Sequence, residues 1–225
     1  MLTIAIDGAC RRNGKPDCTA SGGVFYCYNY GASDMHCGVL SAYEYNSTNQ
    51  RGELLALLKA LDFAMQSNEE DVLVVTDSEY IFNAMNKRWF ANWHAKGWRT
   101  ASDEPVKNKD IWLEVKMLVD RCEESGPDIH FYHIKGHCIP FGRVTADKML
   151  KTDPTGRSLL KEVQKKFDSC APTKQVIFDA AQELSVRNNG FAFDDKVFKQ
   201  FVVMNTMADA VATKVVDAAD SSREM

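Results

Sequence analysis

Four carboxylates, Asp7, Glu53, Asp77 and Asp209, sit in or beside apolar segments instead of in polar ones. Asp7 closes the run LTIAID, Asp77 closes DVLVVTD, and Glu53 falls in the first turns of the helical-period stretch between them. Asp209 lies in NTMADAVATKVV, residues 205–216. Stepping by threes and fours through Phe198, Val202, Asn205, Asp209, Ala212 and Val216 traces a helix face with four apolar members of six. The neighbouring row, Val197, Phe201, Met204, Ala208, Val211 and Val215, is apolar throughout, so Asp209 lies beside or within a core-facing stripe. A buried carboxylate without a partner is costly or stays protonated, and a metal ion is one partner that would keep it charged. The plainer reading is an Asp at the edge of the stripe that reaches water. An Asp at a strand end is likewise commonly a turn or cap residue. Taken together, though, these acids form a set without matching bases. Like charges at close range stay ionised only beside a cation, and hard oxygen ligands suit Mg²⁺ or Mn²⁺. The chemistry such a set would support is hydrolysis at a centre holding two metal ions.

The elements that must bring these acids together follow from the pattern of the chain. LTIAID reads as a strand closed by a DG turn, and residues 22–28 and 36–43 read as two further strands of a meander. From Asn49 the period changes to helical, through Leu54, Leu55, Leu58 and Leu61. Residues 71–77 form a β-branched run suited to a buried strand, and Ser78 is a good N-cap for the helix after it. Residues 110–122 give another helix, and IHFYHIKGH, 129–137, the last strand. The alternation signals an α/β sheet, in which ligands gather outside the carboxyl ends of strands, so Asp7 and Asp77 converge if their strands are parallel neighbours. After His137 the chain turns helical. Asp153 followed by Pro154 reads as a helix start, a second helix spans about 173–186, and the third carries Asp209. The tail DAADSSREM is expected to fray.

Bulk properties narrow the class. A chain of 225 residues with a 45% hydrophobic fraction is a packed globular protein, and no apolar run reaches membrane-spanning length. The start MLTIAIDG enters a strand directly, without a basic leader, which predicts a cytoplasmic protein and no membrane partner. Seven cysteines without a C-x-x-C pair predict free thiols. The net charge of −4 gives no global sign of nucleic acid. Locally, residues 87–109 carry six Lys or Arg against two acids.

Six ordered segments carry a resemblance. IDGACRRNG, TNQRGELLAL, VTDSEY, KGW with PVKNKDIW, KGH and NTMADAVA resemble the signature segments of type 1 ribonuclease H, over residues 1–138 and the final helix. The resemblance implies an α/β ribonuclease H-like fold with a five-stranded mixed sheet flanked by helices, and an endoribonuclease cutting the RNA strand of RNA–DNA hybrids. It matches Asp7, Glu53, Asp77 and Asp209 to the metal-binding carboxylates and His137 to the family's mobile catalytic histidine. It implies two Mg²⁺ ions per site, with Mn²⁺ as a substitute. The chain departs from compact members in one place: Asp209 follows His137 by 72 positions, while Asp147 has the compact spacing. Asn205 and Ala212 flank Asp209 as the motif N-x-x-A-D-x-x-A requires, whereas Arg143 stands before Asp147. Asp209 is therefore preferred, and the domain of 225 residues is read as a sheet core with a handle-like segment (1–138), a helical insertion (139–200) of unassigned partner, and a final helix (201–218).

RWFANWHAKGWRT, 88–100, interleaves Trp89, Trp93 and Trp98 with Arg88, Lys96 and Arg99. One reading is an amphipathic helix with its rings packed inward. The other is a nucleic-acid grip, in which cations meet phosphates and rings meet sugars; the segment resembles the family's basic handle, implying contacts from Trp93, Lys96 and Trp98. The resemblance also matches Cys10 and Asn13 to minor-groove contacts, and Thr48, Asn49 and Gln50 to phosphate or base-edge contacts. Reading 2′-hydroxyls there would tell RNA from DNA. Glu79 stands where many relatives carry Gln. Two other readings are a DNA nuclease of the same fold and a hybrid-binding module that does not cut.

Overall fold

Period-two alternation in the first strand sends Leu2, Ile4 and Ile6 to one core and Ala5 to the other, and Asp7 follows Ala5. The computed structural model describes residues 1–87, 89–139, 143–169 and 195–223. Five strands, Leu2–Arg11 (β1), Thr19–Tyr28 (β2), His36–Tyr45 (β3), Asp71–Thr76 (β4) and Asp128–His133 (β5), make one mixed sheet in the order β3-β2-β1-β4-β5. The meander β1-β2-β3 is antiparallel, and β4 and β5 join it in parallel. Because β1 and β4 are parallel neighbours, with Ile6 opposite Thr76, Asp77 leaves β4 beside Asp7. This is the expected five-stranded α/β architecture, but the expected DG turn after Asp7 is absent, because β2 keeps pairing with β1 as far as Arg11.

Seven helices cover the sheet among the described residues: Asn49–Gln66 (α1), Glu79–Asn86 (α2), Trp89–Ala95 (α3), Lys109–Ser125 (α4), Arg143–Thr152 (α5), Arg157–Ser169 (α6) and Asp195–Arg223 (α7). On one face Leu54, Leu57 and Leu61 of α1 pack with Ile81 of α2 and with Ile111, Trp112 and Val115 of α4. On the other, Phe201, Met204, Ala208 and Val211 of α7 share a core with Leu150 of α5 and Leu160 and Val163 of α6. Two adjacent glycines of β2 let the two faces close. A Cβ on Gly22 would stand 2.3 Å from the Ala56 nitrogen of α1, and one on Gly23 would stand 2.3 Å from the Ala208 carbonyl oxygen and 2.4 Å from the Ala212 nitrogen of α7. Both helix backbones thus lie directly on the middle of the sheet, one on each side. That closeness lets residues from both faces reach the middle of β1.

Several elements differ from the sequence reading. The strand expected over 129–137 stops at His133, because β4 ends at Thr76 and offers a last carbonyl to the Ile134 N–H at 2.9 Å, beyond which no neighbour remains. Residues 153–156 form a turn instead of opening a helix; the Asp153 carboxylate accepts from the Ser158 N–H at 2.8 Å and caps α6 from outside. The helix expected over 173–186 lies outside the described residues. The tail expected to fray is helical to Arg223, and it is tied down: the Tyr45 hydroxyl donates to the Ala219 carbonyl at 3.1 Å and the Arg223 guanidinium to Asn46 at 2.8 Å. The prediction of free thiols fails at one pair. Cys10 and Cys18 form a disulfide, since the β1–β2 register sets Cys10 opposite Ala20 and brings the two Cα atoms to 6.7 Å. Cys27, Cys37, Cys122 and Cys138 are free. Among the described residues no helix is long and apolar enough to cross a membrane.

Gly23→Val should push α7 off the sheet, since backbone has nowhere to yield. Chemical denaturation is expected to show a loss of about 1–3 kcal/mol, and an unchanged midpoint would contradict this packing.

Candidate active site

Three carboxylates meet where β4 ends beside β1. Ligand oxygens of Asp7, Glu53 and Asp77 all lie within 4.8 Å of one another. Each arrives by a different route: Asp7 from the middle of β1, Asp77 from the residue after β4, and Glu53 from the second turn of α1. Helix α1 starts where it does because the Thr48 hydroxyl caps it, accepting from the Arg51 N–H at 3.3 Å. Arg51 then anchors that end. Its guanidinium donates to Glu44 at 2.7 and 2.8 Å and to Asp110 of α4 at 2.9 and 2.7 Å, which keeps both carboxyls below their usual range. Ser78 caps α2 and so sets the exit of Asp77 from β4.

The electrostatics of this cluster are unfavourable on their own. Asp7 is 5% exposed, and burial first, then the charges of Asp77, Glu53 and Asp209, push its pKa well above the carboxylate range. The Gly8 N–H, 2.7 Å from the Asp7 carboxylate, opposes that only in part. Glu53 is 8% exposed, and burial with the charge of Asp77 pushes it up to about 8. Its Oε2 is buried without a hydrogen-bond partner. Asp77 is raised by burial and by Asp209, while nearby His137 acts in the opposite sense. The Asn205 amide of α7 also favours charged Asp77, weakly, since its Nδ2 is buried without a hydrogen bond of ordinary geometry. An orphaned buried carboxylate oxygen amid three mutually repelling acids fits a divalent cation with oxygen preference.

Asp209 borders this cluster. It lies half-buried on α7, close enough for its charge to act on both Asp7 and Asp77, and it accepts a long contact of 3.4 Å from the Thr213 hydroxyl. Asp147 approaches the same crevice as Asp209, from α5. Helix α5 rides on α7, where Asp147 pairs with Lys151 at 2.9 Å and lines the side of a crevice that Asp209 also touches. Exposed His137, with φ of 55°, follows Gly136, at which a Cβ would stand 1.9 Å from Asp77 Oδ2. That contact explains why KGH needs its glycine. Buried His133, which the sequence reading passed over, holds the Asp77 carbonyl at 3.1 Å through Nε2. Its position as the last residue of a strand parallel to β4 was the signal that could have found it.

The residues expected to touch substrate separate into two groups. Asn13, Thr48, Asn49 and Gln50 gather on one surface beside Glu53, with the Asn49 N–H 3.4 Å from the Asn13 carboxamide oxygen. Cys10 lies there too, half-buried and bonded to Cys18. In the handle-like segment Lys96 is exposed, but Trp98 is 7% exposed and packs its ring against Phe90, so its expected role as a contact is corrected to a core role. Trp93 is half-buried against Tyr80 and Trp112. The aromatics of this segment chiefly close the core, because α3 is seven residues long and anchors by its rings. Arg88 lies outside the described residues.

A five-stranded mixed sheet with a buried cluster of acids that could hold a metal ion is the arrangement of the ribonuclease H-like class. The RNase H family profile matches residues 1–153, and the chain belongs to the ribonuclease H family. It is thus a ribonuclease H enzyme, a nuclease that binds nucleic acid. Ribonuclease H of Pseudomonas fluorescens strain Pf-5 is 34% identical over 148 residues, 66% of this chain and 88% of that one. Ribonuclease H of Francisella philomiragia is 34% identical over 143 residues, 64% of this chain and 84% of that one. Among solved structures, LC9-RNase H1, a type 1 RNase H with the type 2 active-site motif, is 26% identical with a TM-score of 0.51, covering 61% of this chain and 64% of that one. The solution structure of the PFV RNase H domain, 22% identical with a TM-score of 0.51 over 69% of this chain and 92% of that one, shares the fold. The family match ends just after α5, so it takes in Asp147 and leaves out the helix that carries Asp209.

The raised carboxyls have a sign that can be tested. Because folded Glu53 titrates at about 8 against an ordinary 4.5, the folded protein holds a proton that the unfolded chain gives up. Its stabilisation is complete below the unfolded value and is lost as pH rises through about 8. In a chelator the urea midpoint should fall between pH ~5 and ~8, Glu53→Gln should flatten that fall, and Mg²⁺ should restore more at the higher pH. A midpoint that rises with pH in chelator would contradict the cluster.

Proposed function

We propose that this chain is an endoribonuclease that hydrolyses the RNA strand of RNA–DNA hybrids, leaving 5′-phosphate and 3′-hydroxyl ends. The observation that carries the reading is the convergence of Asp7, Glu53 and Asp77, with a buried Glu53 oxygen lacking any partner. Asp7, Glu53, Asp77 and Asp209 would hold two divalent ions, Mg²⁺ by choice and Mn²⁺ as substitute. A bound pair of this kind supplies an activated water and a stabilised leaving oxygen.

The chain's own residues do the remaining work. Asp209 is favoured over Asp147 as the fourth ligand because its charge bears on Asp7 and Asp77, while Asp147 is engaged with Lys151. His137, exposed beside Asp77, would carry a proton to or from the leaving group, as a positioned imidazole can. Asn13, Thr48, Asn49 and Gln50 would grip the hybrid beside Glu53, and a 2′-hydroxyl read there would select RNA. Lys96 would meet phosphate on the handle side. Residues 139–200 are read as an insertion within one domain, a reading supported by the packing of its described helices α5 and α6 with α7.

Labelled hybrid incubated with Mg²⁺ should lose only its RNA strand, and Asp77→Asn should stop the cutting. Asp209→Asn is expected to cost about 100-fold or more, beyond the ~10–100-fold typical of residues that only support a ligand, while Asp147→Asn keeps most activity. Intact hybrid with both Mg²⁺ and Mn²⁺ would reject the reading, and the reverse order of the two Asp variants would reassign the fourth ligand.

A further inference from the structure

The C-terminal half of α7, past the acid it delivers, makes an ordered set of polar contacts to the end of β1, the turn after it and the start of β2. Arg11 at the end of β1 pairs with Asp217, and Arg12 just beyond pairs with Asp220, which also accepts from the Thr19 hydroxyl at 2.9 Å. The Ser21 hydroxyl of β2 donates to the Ala212 carbonyl at 2.6 Å, one turn earlier on the helix. Along β1, Asp7 and Arg11 point to the same face of the sheet, four residues apart, about 13 Å at ~3.3 Å per residue. Along α7, Asp209, Thr213, Asp217 and Asp220 share one helix face, and Asp209 and Asp217 are about 12 Å apart at ~1.5 Å per residue. The two spacings match and run in the same direction. When Asp217 meets Arg11, Asp209 is therefore brought level with Asp7.

Resting on the functional reading above, we propose that Arg11 and Asp217 are positioning residues that fix the axial register of α7 on β1, and that this register brings Asp209 to the metal centre. At Gly23 the α7 surface is built from small residues, Ala208 and Ala212, which permit close approach without interlocking side chains at that point. Asp209 also lies outside the tight group of Asp7, Glu53 and Asp77, so a slip along the helix axis would withdraw it from Asp7 and Asp77 without disturbing the other three acids. The Arg11–Asp217 pair is partly exposed, with side chains 27% and 45% accessible, so it contributes little to global stability and can be removed without unfolding the protein.

The test compares full-length wild type, Asp217→Asn, Arg11→Asp and the charge-swapped double variant Arg11→Asp/Asp217→Arg. Hybrid cleavage is measured as a function of Mg²⁺ and of hybrid, and Mg²⁺ binding without substrate is measured by calorimetry. Asp217→Asn should fold normally by circular dichroism, raise the Mg²⁺ concentration for half-maximal rate and the calorimetric Kd about 10-fold, and leave KM for the hybrid within about twofold. The swapped pair should recover most of the loss. Unchanged Mg²⁺ titrations in Asp217→Asn would overturn the proposal. So would a tighter KM in that variant, which would make Arg11 a phosphate ligand that the tail restrains. Wild type that binds Mg²⁺ but leaves hybrid intact would defeat the functional reading alone, because the calorimetric comparison still reports on the register.

Discussion

Mutual repulsion among buried carboxylates is the constraint around which this protein is organised. Asp7, Glu53 and Asp77 sit within 4.8 Å of one another, two of them almost without solvent, with Asp209 close enough to add its charge. No base in the cluster offsets them; the nearest relief comes from exposed His137. A fold that selected only for stability would neutralise or expose these groups. That it keeps them together is intelligible if a divalent cation belongs there, since a cation turns three unfavourable neighbours into ligands.

The scaffold spends much of its specificity on making that convergence possible. Parallel pairing of β1 with β4 delivers two of the acids side by side. The other two come from helices on opposite faces of the sheet, and both reach the same point because Gly22 and Gly23 let α1 and α7 lie against the β2 backbone. The Arg51 bridge to Glu44 and Asp110 then fixes the start of α1, and with it Glu53 and the Thr48–Gln50 turn.

Much of this was legible in the chain. Asp7 and Asp77 could be read from apolar runs ending in an acid, and Glu53 from its place near a helix start, although only Asp77 follows a strand end and β1 runs on past Asp7 to Arg11. Asp209 was legible as a charge in an apolar row, yet choosing it over Asp147 depended on a motif, since no local signal shows which of two helices lies on the sheet. What escaped the sequence was set by pairing across long separations. The Cys10–Cys18 bond follows from hairpin register, the end of β5 from the end of its neighbour, and the ordered tail from arginines some two hundred positions away. Trp98 was misread for a similar reason, as a ring in a basic segment looks the same whether it faces a phosphate or Phe90.

The helix exchange near the C-terminus ties these points together. Sequence similarity to the family runs through α5, which rides on α7, whereas the helix on the sheet is α7, reached only after α6 and the stretch that follows it. Anomalous diffraction from crystals soaked in Mn²⁺ tests the central claim most directly. The account predicts metal density ligated by Asp7, Glu53 and Asp77, with Asp209 completing the shell. Density absent from these three acids, or completed by Asp147 with Asp209 turned away, would contradict it.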